Sequence, residues 1–331
     1  MKTAILTNNA NDAKVVFGAD FKEAMRDFGL LEKTISKSDL EKNPDLLKDA
    51  EYVFTTWGMP HFKNDEIKKF FPNLKAVLYA AGSVQSFAKE FLEEGISVHS
   101  AWKANAIPVA EFAFSQIVLA SKGYFGSVKK AKHNRYGGFK FSNECTGNYK
   151  SKIGIIGAGG IGSLICEKLK HIDCEVLVYD KFLSKERADE LNVSLTSLEE
   201  IFKQCDVISN HLANKEELYG ILNYDLFKLM KSHAVFINTG RGKQVKEKDL
   251  VKAMREVSSR TALLDVTSPE PPIILSPIRH TKNIILSPHI AGSTGKERER
   301  MSAFMLDEFN LLIEGKPPIY SVTKEMLKTM A

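Results

Sequence analysis

Residues Ile153 to Gly162 read IGIIGAGGIG, a run of strand-forming aliphatics that breaks into glycines at Gly157, Gly159 and Gly162. The stretch reads as a strand feeding a phosphate-binding turn. Gly157 would let the chain leave the strand in a tight turn, and Gly159 would remove a Cβ where a pyrophosphate has to approach. Gly162 would let the following helix lie close on the sheet. Backbone N–H groups at that helix start would then point at the phosphates.

The flanks support this reading. Lys152 to Ile156 is β-prone, Ile161, Leu164, Ile165, Leu169 and Ile172 recur at helical spacing, and Glu175 to Tyr179 (EVLVY) forms a second strand. Asp180 ends that strand, eighteen residues past Gly162. A carboxylate there can accept hydrogen bonds from ribose hydroxyls and would repel a 2′-phosphate, which favours NAD over NADP. A plain strand-end turn residue is the alternative.

Composition narrows the classes. At 331 residues with 44% hydrophobic content the chain can bury a large core and make two domains. No stretch approaches the roughly 18 unbroken apolar residues of a membrane span, and MKTAILTNN lacks a signal peptide's apolar core. A soluble, cytoplasmic protein without a membrane partner is expected. Cys145, Cys166, Cys174 and Cys205 show no CxxC or zinc spacing, so reduced thiols and no metal are expected. The net charge of +5 is mild. Lys129, Lys130, Lys132, His133 and Arg135 cluster, but without interleaved aromatics a solvated helix face or a subunit contact fits better than nucleic acid.

In chain order, Thr3 to Thr7, Tyr52 to Thr55, Ala76 to Tyr79 and Ile96 to His99 read as strands between helix-compatible stretches, an α/β pattern with a parallel sheet. After the third strand, Ala80-Ala81-Gly82-Ser83-Val84 makes a small-residue turn whose N–H groups could hold a carboxylate, or an ordinary strand-to-helix turn. Ala104 to Ala120 reads as a long helix with Pro108 in its first turn. Lys122 to Asn148 is polar and glycine-bearing. Further strands are expected at Asp206 to Ser209, Ala234 to Ile237, Thr261 to Leu264 and Ile284 to Leu286, then a helix from Lys296 to Glu314.

Three segments after those later strands carry chemistry. Asn238-Thr239-Gly240-Arg241-Gly242 puts an arginine at the carboxyl edge of the sheet, where open α/β folds bind ligands, and Arg241 could grip a carboxylate in bidentate fashion. Leu264-Asp265-Val266-Thr267-Ser268-Pro269-Glu270-Pro271 places two carboxylates after another strand, and Ser287-Pro288-His289-Ile290-Ala291-Gly292 a histidine after a third. A histidine can exchange a proton with a substrate oxygen near neutral pH. A neighbouring glutamate would fix its orientation and favour its charged form. Taken singly, Arg241 could be a surface ion pair, Glu270 a loop charge and His289 a satisfied buried histidine.

Taken together, GAGGIG with Asp180, NTGRG, LDVTSPEPP and SPHIAG resemble, in order and spacing, the D-isomer-specific 2-hydroxyacid dehydrogenases, the NAD-dependent family that includes phosphoglycerate, D-lactate and glyoxylate/hydroxypyruvate enzymes. VAE at Val109 to Glu111 and GKPP near Gly315 extend the resemblance along the chain. It implies a nucleotide-binding Rossmann domain (105–293) inserted into a smaller flavodoxin-like substrate domain (1–104 and 294–331), with substrate in the cleft between them. By the same resemblance, Arg241 would bind the carboxylate of a 2-oxo acid and polarise its ketone. His289 would protonate the oxygen as hydride arrives from the nicotinamide, and Glu270 would support the imidazolium. Gly157, Gly159, Gly160, Ile161 and Gly162 would cradle the cofactor with Asp180. Leu212, Ala213, Thr239, Gly240 and Gly292 would line it, and Asp265 would face the nicotinamide carboxamide. Gly82 and Ser83 would offer N–H groups to the substrate carboxylate. A homodimer through the nucleotide domain is also implied.

The chain departs from the family pattern in places. Where many members read histidine, any residue, proline, this chain has His211-Leu212-Ala213, and the AAGSV turn lacks the second glycine and the acid of the commoner GxGxD form. With no regulatory extension after the last helix, the long type of phosphoglycerate dehydrogenase is not expected. Two other readings stand beside the 2-hydroxyacid enzyme: an NAD-sensing binding protein or corepressor on the same fold, and a phosphonate or formate dehydrogenase-like member. Glu270 counts against the formate type, which has glutamine there. From the sequence, Asp180→Ala should weaken NADH binding while reducing discrimination against NADPH, measured by fluorescence titration with both nucleotides; a wild-type preference for NADPH would refute the role given to Asp180.

Overall fold

The computed structural model describes residues 2–328; Met1 and residues 329–331, the outer limits of the expected first domain, lie outside the described residues. The chain forms two compact units, Met1–Ala106 with Ser293–Ala331, and Ile107–Gly292. In the first, β1 (Thr3–Ile5), β2 (Tyr52–Thr55), β3 (Ala76–Tyr79) and β4 (Ser97–Ser100) pair in parallel in that order. Their residues are almost all buried, as expected of a parallel sheet covered on both faces. Parallel bridges from Thr3 to Leu30 and from Leu6 to Ile35 add a fragmentary strand on the free edge of β1, which gives the flavodoxin-like order.

The second unit is a seven-stranded parallel sheet of β5 (Ser151–Ile156), β6 (Cys174–Tyr179), β7 (Ser194–Leu195), β8 (Val207–Asn210), β9 (Val235–Asn238), β10 (Thr261–Leu264) and β11 (Ile284–Leu286). Its order, β11-β10-β9-β8-β5-β6-β7, is doubly wound and reverses between β5 and β8. Ile201, Phe202, Phe227, Phe236 and Met254 belong to one buried cluster, and Ala113, Ile117, Ile155, Ile165 and Val178 to another. No local pattern marks β7, whose two residues are exposed and too few to show a period.

One expectation is corrected. The helix expected at Ala104 begins at Trp102 and runs to Ser121, so Pro108 lies in its second turn rather than its first. The Ala101 carbonyl accepts the Asn105 N–H and starts the helix earlier. By length and mean hydropathy (1.2) this helix could cross a membrane, but half of its most apolar window is buried within the structure, as in a core helix. The polar stretch from Lys122 forms two helices, Tyr124–Ala131 and Gly137–Asn143. Its glycines serve close packing: a Cβ on Gly126 would enter the Phe141 ring, and one on Gly138 would lie 2.9 Å from the Ser127 carbonyl oxygen.

The chain returns to the first unit through the helix Glu297–Ile313, whose Met301, Met305 and Phe309 are fully buried. The Phe309 ring meets Phe28 and Tyr52 edge-on, with centroids 5.1 Å apart in each case. Next, β12 (Ser321–Val322) pairs antiparallel with β4. A fully buried carboxylate guides it there. Glu308 accepts the N–H groups of Ile319 (2.9 Å) and Tyr320 (2.7 Å) and pairs with Nδ1 of His99 on β4 (2.7 Å).

Burial holds the pKa of His99 below the ordinary histidine value, against the pull of Glu308. Burial also lowers His211, just after β8, to about 3. Above pH ~6.5 both are neutral whether folded or unfolded. Below it, the unfolded chain takes up protons that the folded chain refuses, so stability falls as pH falls. His211 should contribute a loss of up to ~1.4 kcal/mol per pH unit from about 6.5 down towards its folded value, and His99 a loss in the same direction. Urea unfolding between pH 7 and 5 measures the slope; a profile that stays flat below 6.5 would contradict it.

Candidate active site

The glycine turn after β5 has the features that its sequence calls for. Gly157 has φ +89°, and a Cβ there would lie 2.9 Å from the His211 carbonyl oxygen. A Cβ on Gly162 would collide with the Gly157 carbonyl. Gly159 has nothing within 4 Å of its Cβ direction and is exposed, like Gly160, which starts the helix Gly160–Leu169. Ile161 follows half-buried. No side chain caps that helix start, so open space faces N–H groups at the positive end of a helix dipole. These residues fit a pyrophosphate. Beside them Asp180 accepts the N–H groups of Ala158 (2.7 Å), Phe182 (2.7 Å) and Leu183 (3.1 Å). It therefore acts as a turn residue and pins the glycine loop to the end of β6. A carboxylate accepts about four hydrogen bonds, which leaves capacity for a ribose hydroxyl.

Across the point where the strand order reverses, the segment after β8 is tied to the segment after β9 by uncharged side chains. Asn210, Asn238 and Gln244 are each completely buried. Asn210 donates through Nδ2 to Asn238 Oδ1 (2.9 Å) and Gln244 Oε1 (2.7 Å), and Gly240 N–H donates to Asn238 Oδ1 (3.0 Å). Buried His211 shares hydrogen bonds with the hydroxyls of Ser209 (2.8 Å) and Thr239 (3.3 Å). Leu212 and Ala213 are half-buried, and Thr239 and Gly240 are buried.

The three candidate catalytic residues all lie in this unit, on loops that follow β9, β10 and β11. Arg241 donates from Nη1 to the Gly240 carbonyl (2.9 Å). Burial holds its guanidinium below the usual arginine value, while nearby Glu270 opposes that shift. Gly242 packs so closely on the next loop that a Cβ would enter the Thr267 backbone. That contact brings the Arg241 loop against the Glu270 loop. Glu247 secures the same loop by accepting the Ser268 N–H (2.7 Å), with its own pKa raised by burial. Glu270 Oε1 is hydrogen-bonded to Nδ1 of His289.

His289 has φ +54° and an exposed side chain. Buried Asp265 organises its loop, accepting the Ser287 hydroxyl (2.6 Å) and the N–H groups of Ile290 (2.9 Å) and Ala291 (2.9 Å). Its carboxylate is thus largely engaged within the protein, with about one lone-pair position left for a carboxamide. Gly292 follows, half-buried, with no partner that distinguishes it. Among the described residues no group of three His, Cys, Asp or Glu could hold a metal.

In the first unit, buried Ala80 and Ala81 lead into half-buried Gly82 and exposed Ser83. The Ser100 hydroxyl donates towards the carbonyls of Ala81 (3.0 Å) and Gly82 (2.7 Å), which braces the turn from beneath. Asn105 stands beside it, its Nδ2 lying 3.6 Å from a Cβ placed on Gly82. Sequence reasoning missed Asn105, Asn210, Gln244 and Glu247. The available signal was an amide at the end of a buried strand (Asn210) and another three residues after Arg241 (Gln244).

Residues 115–291 match the family described as D-isomer specific 2-hydroxyacid dehydrogenase, NAD binding domain. A Staphylococcus haemolyticus protein with the provisional name of 2-hydroxyacid dehydrogenase is 30% identical over 257 residues, 76% of this chain and 80% of that one. A D-3-phosphoglycerate dehydrogenase from Archaeoglobus fulgidus is 29% identical over 226 residues, 68% of this chain but 42% of the longer relative. A phosphoglycerate oxidoreductase from Rhizobium etli shares the fold, with a TM-score of 0.78 at 21% identity over 99% of this chain and 100% of that one. The chain belongs to the D-isomer-specific 2-hydroxyacid dehydrogenase family, and its cofactor is a nicotinamide dinucleotide.

Proposed function

We propose that this protein interconverts a 2-oxo acid and a D-2-hydroxy acid with NAD(H). The observation that carries the reading is the hydrogen bond between Glu270 and His289 at the sheet edge that also holds Arg241. With Nδ1 turned to Glu270, the imidazole keeps Nε2 for the substrate oxygen. The nicotinamide supplies the hydride when the cofactor is bound. Arg241 binds the substrate carboxylate and polarises the carbonyl; Arg remains cationic despite burial. His289 gives its proton to the developing alkoxide, and the Glu270 carboxylate stabilises the imidazolium that has to exist beforehand.

In the first unit, taken as the substrate domain, the N–H groups of Gly82 and Ser83 are the ones offered to a carboxylate. Gly157, Gly159, Gly160, Ile161 and Gly162 cradle the pyrophosphate, and Asp180 takes the ribose. Leu212, Ala213, Thr239, Gly240, Asp265 and Gly292 line the remaining cofactor edge. We also propose a homodimer formed through the helices Tyr124–Ala131 and Gly137–Asn143, where Tyr124, Val128, Tyr136 and Phe139 are exposed large apolar residues.

NADH oxidation with a panel of 2-oxo acids, scored for product stereochemistry, tests the reaction; no turnover on any of them would overturn it. His289→Gln should lower turnover by on the order of 10² to 10⁴, with NADH affinity largely kept. Gly242→Ala should push the Arg241 and Glu270 loops apart, lowering kcat/KM for the oxo acid by roughly 10²-fold with little change in NADH binding. Steady-state kinetics and NADH fluorescence titration separate these effects, and wild-type kcat/KM in Gly242→Ala would sink the claimed juxtaposition.

A further inference from the structure

Gln244 lies on the 3₁₀ turn Gly242–Gln244, immediately after Arg241, and its side chain is completely buried. An amide has two donor hydrogens and two acceptor lone pairs. All four are used here. Oε1 accepts Nδ2 of Asn210 (2.7 Å) and the backbone N–H of Arg241 (3.3 Å). Nε2 donates to the carbonyls of Leu212 (3.1 Å) and Ala213 (2.8 Å). Because donors face the oxygen and carbonyls face the nitrogen, the network itself fixes which way the amide points.

We propose that Gln244 is a positioning residue for the reaction, a single amide strut that sets the backbone of the Arg241 clamp and the Leu212–Ala213 cofactor edge together. The inference rests on the roles given above to Arg241 and to that edge. Its physical basis is that no proline stiffens the segment after His211 in this chain; the Gln244 nitrogen holds the Leu212 carbonyl and, together with the Lys215 N–H, the Ala213 carbonyl. On the other side, the same amide restrains the peptide on which the Arg241 guanidinium is carried. No other side chain meets the demand. Asparagine is too short, glutamate would set an oxygen against two carbonyls, and methionine would leave buried donors and acceptors without partners.

Two variants separate the halves of the strut. Gln244→Met removes both, and should raise both the oxo-acid KM and the NADH dissociation constant, each by about ten- to a hundredfold, the range for lost supporting hydrogen bonds. Gln244→Glu keeps the acceptor for Asn210 and Arg241 but loses the donor, so it should weaken NADH binding by a similar factor while oxo-acid KM stays near wild type. Thermal melting identifies a variant that fails to fold, in which case the other variant decides. The proposal is overturned if Gln244→Glu keeps wild-type NADH affinity, or if it loses oxo-acid KM and NADH affinity in equal measure, as general loosening would give. Should the wild type reduce no 2-oxo acid, the proposed reaction falls, and the NADH affinities of the two variants still decide whether the strut holds the cofactor edge.

Discussion

The approach of Gly157 to the His211 carbonyl is the constraint on which the working edge of the second unit depends. It occurs where the strand order reverses between β5 and β8, so that the chain leaves these two neighbours in different directions. A gap opens at such a point at the carboxyl ends of the strands. Any side chain on Gly157 would fill it, and any side chain on Gly162 would hold the helix Gly160–Leu169 away from the turn. The space before Gly159, the helix dipole and the anchoring of Asp180 to the Ala158 N–H all presuppose that contact.

Around that gap the candidate loops are held by buried and half-buried polar side chains. Asp265 gathers the 287–291 loop, Glu247 holds the loop that carries Glu270, and Gln244 joins Arg241 to Leu212 and Ala213. Loops present unpaired backbone groups that a hydrophobic core cannot satisfy, whereas a buried amide or carboxylate can meet several at once. Such an arrangement fixes direction as well as position, which the roles proposed for His289 and Arg241 both need.

The legible parts of the fold were those written in local pattern. β2, β3, β10 and β11 lie at the residues that the aliphatic runs suggest, because a buried parallel strand is a short continuous apolar segment bounded by turns. The two helices between Lys122 and Asn148 are not legible in local pattern, because their glycines admit the Phe141 ring and the Ser127 backbone, contacts that only the packed helices show. β12 was illegible for another reason: its place beside β4 comes from Glu308, whose carboxylate reaches Ile319, Tyr320 and His99 at once.

By itself the sequence determined the α/β class, the glycine turn with its acidic partner, and the positions of Arg241, Glu270 and His289 after successive strands. These follow from periodicity and from the chemistry of single residues, which are properties of short segments. The tertiary structure brings Glu270 to His289, as the family resemblance implied, and it alone decided that Asp265 spends most of its carboxylate on the loop of His289 and that Asn210 and Gln244 form one network with Asn238. Those pairings join residues some twenty to thirty-five positions apart. A hydrogen bond at that separation depends on which strands lie side by side and how far each loop extends, and no local pattern encodes either.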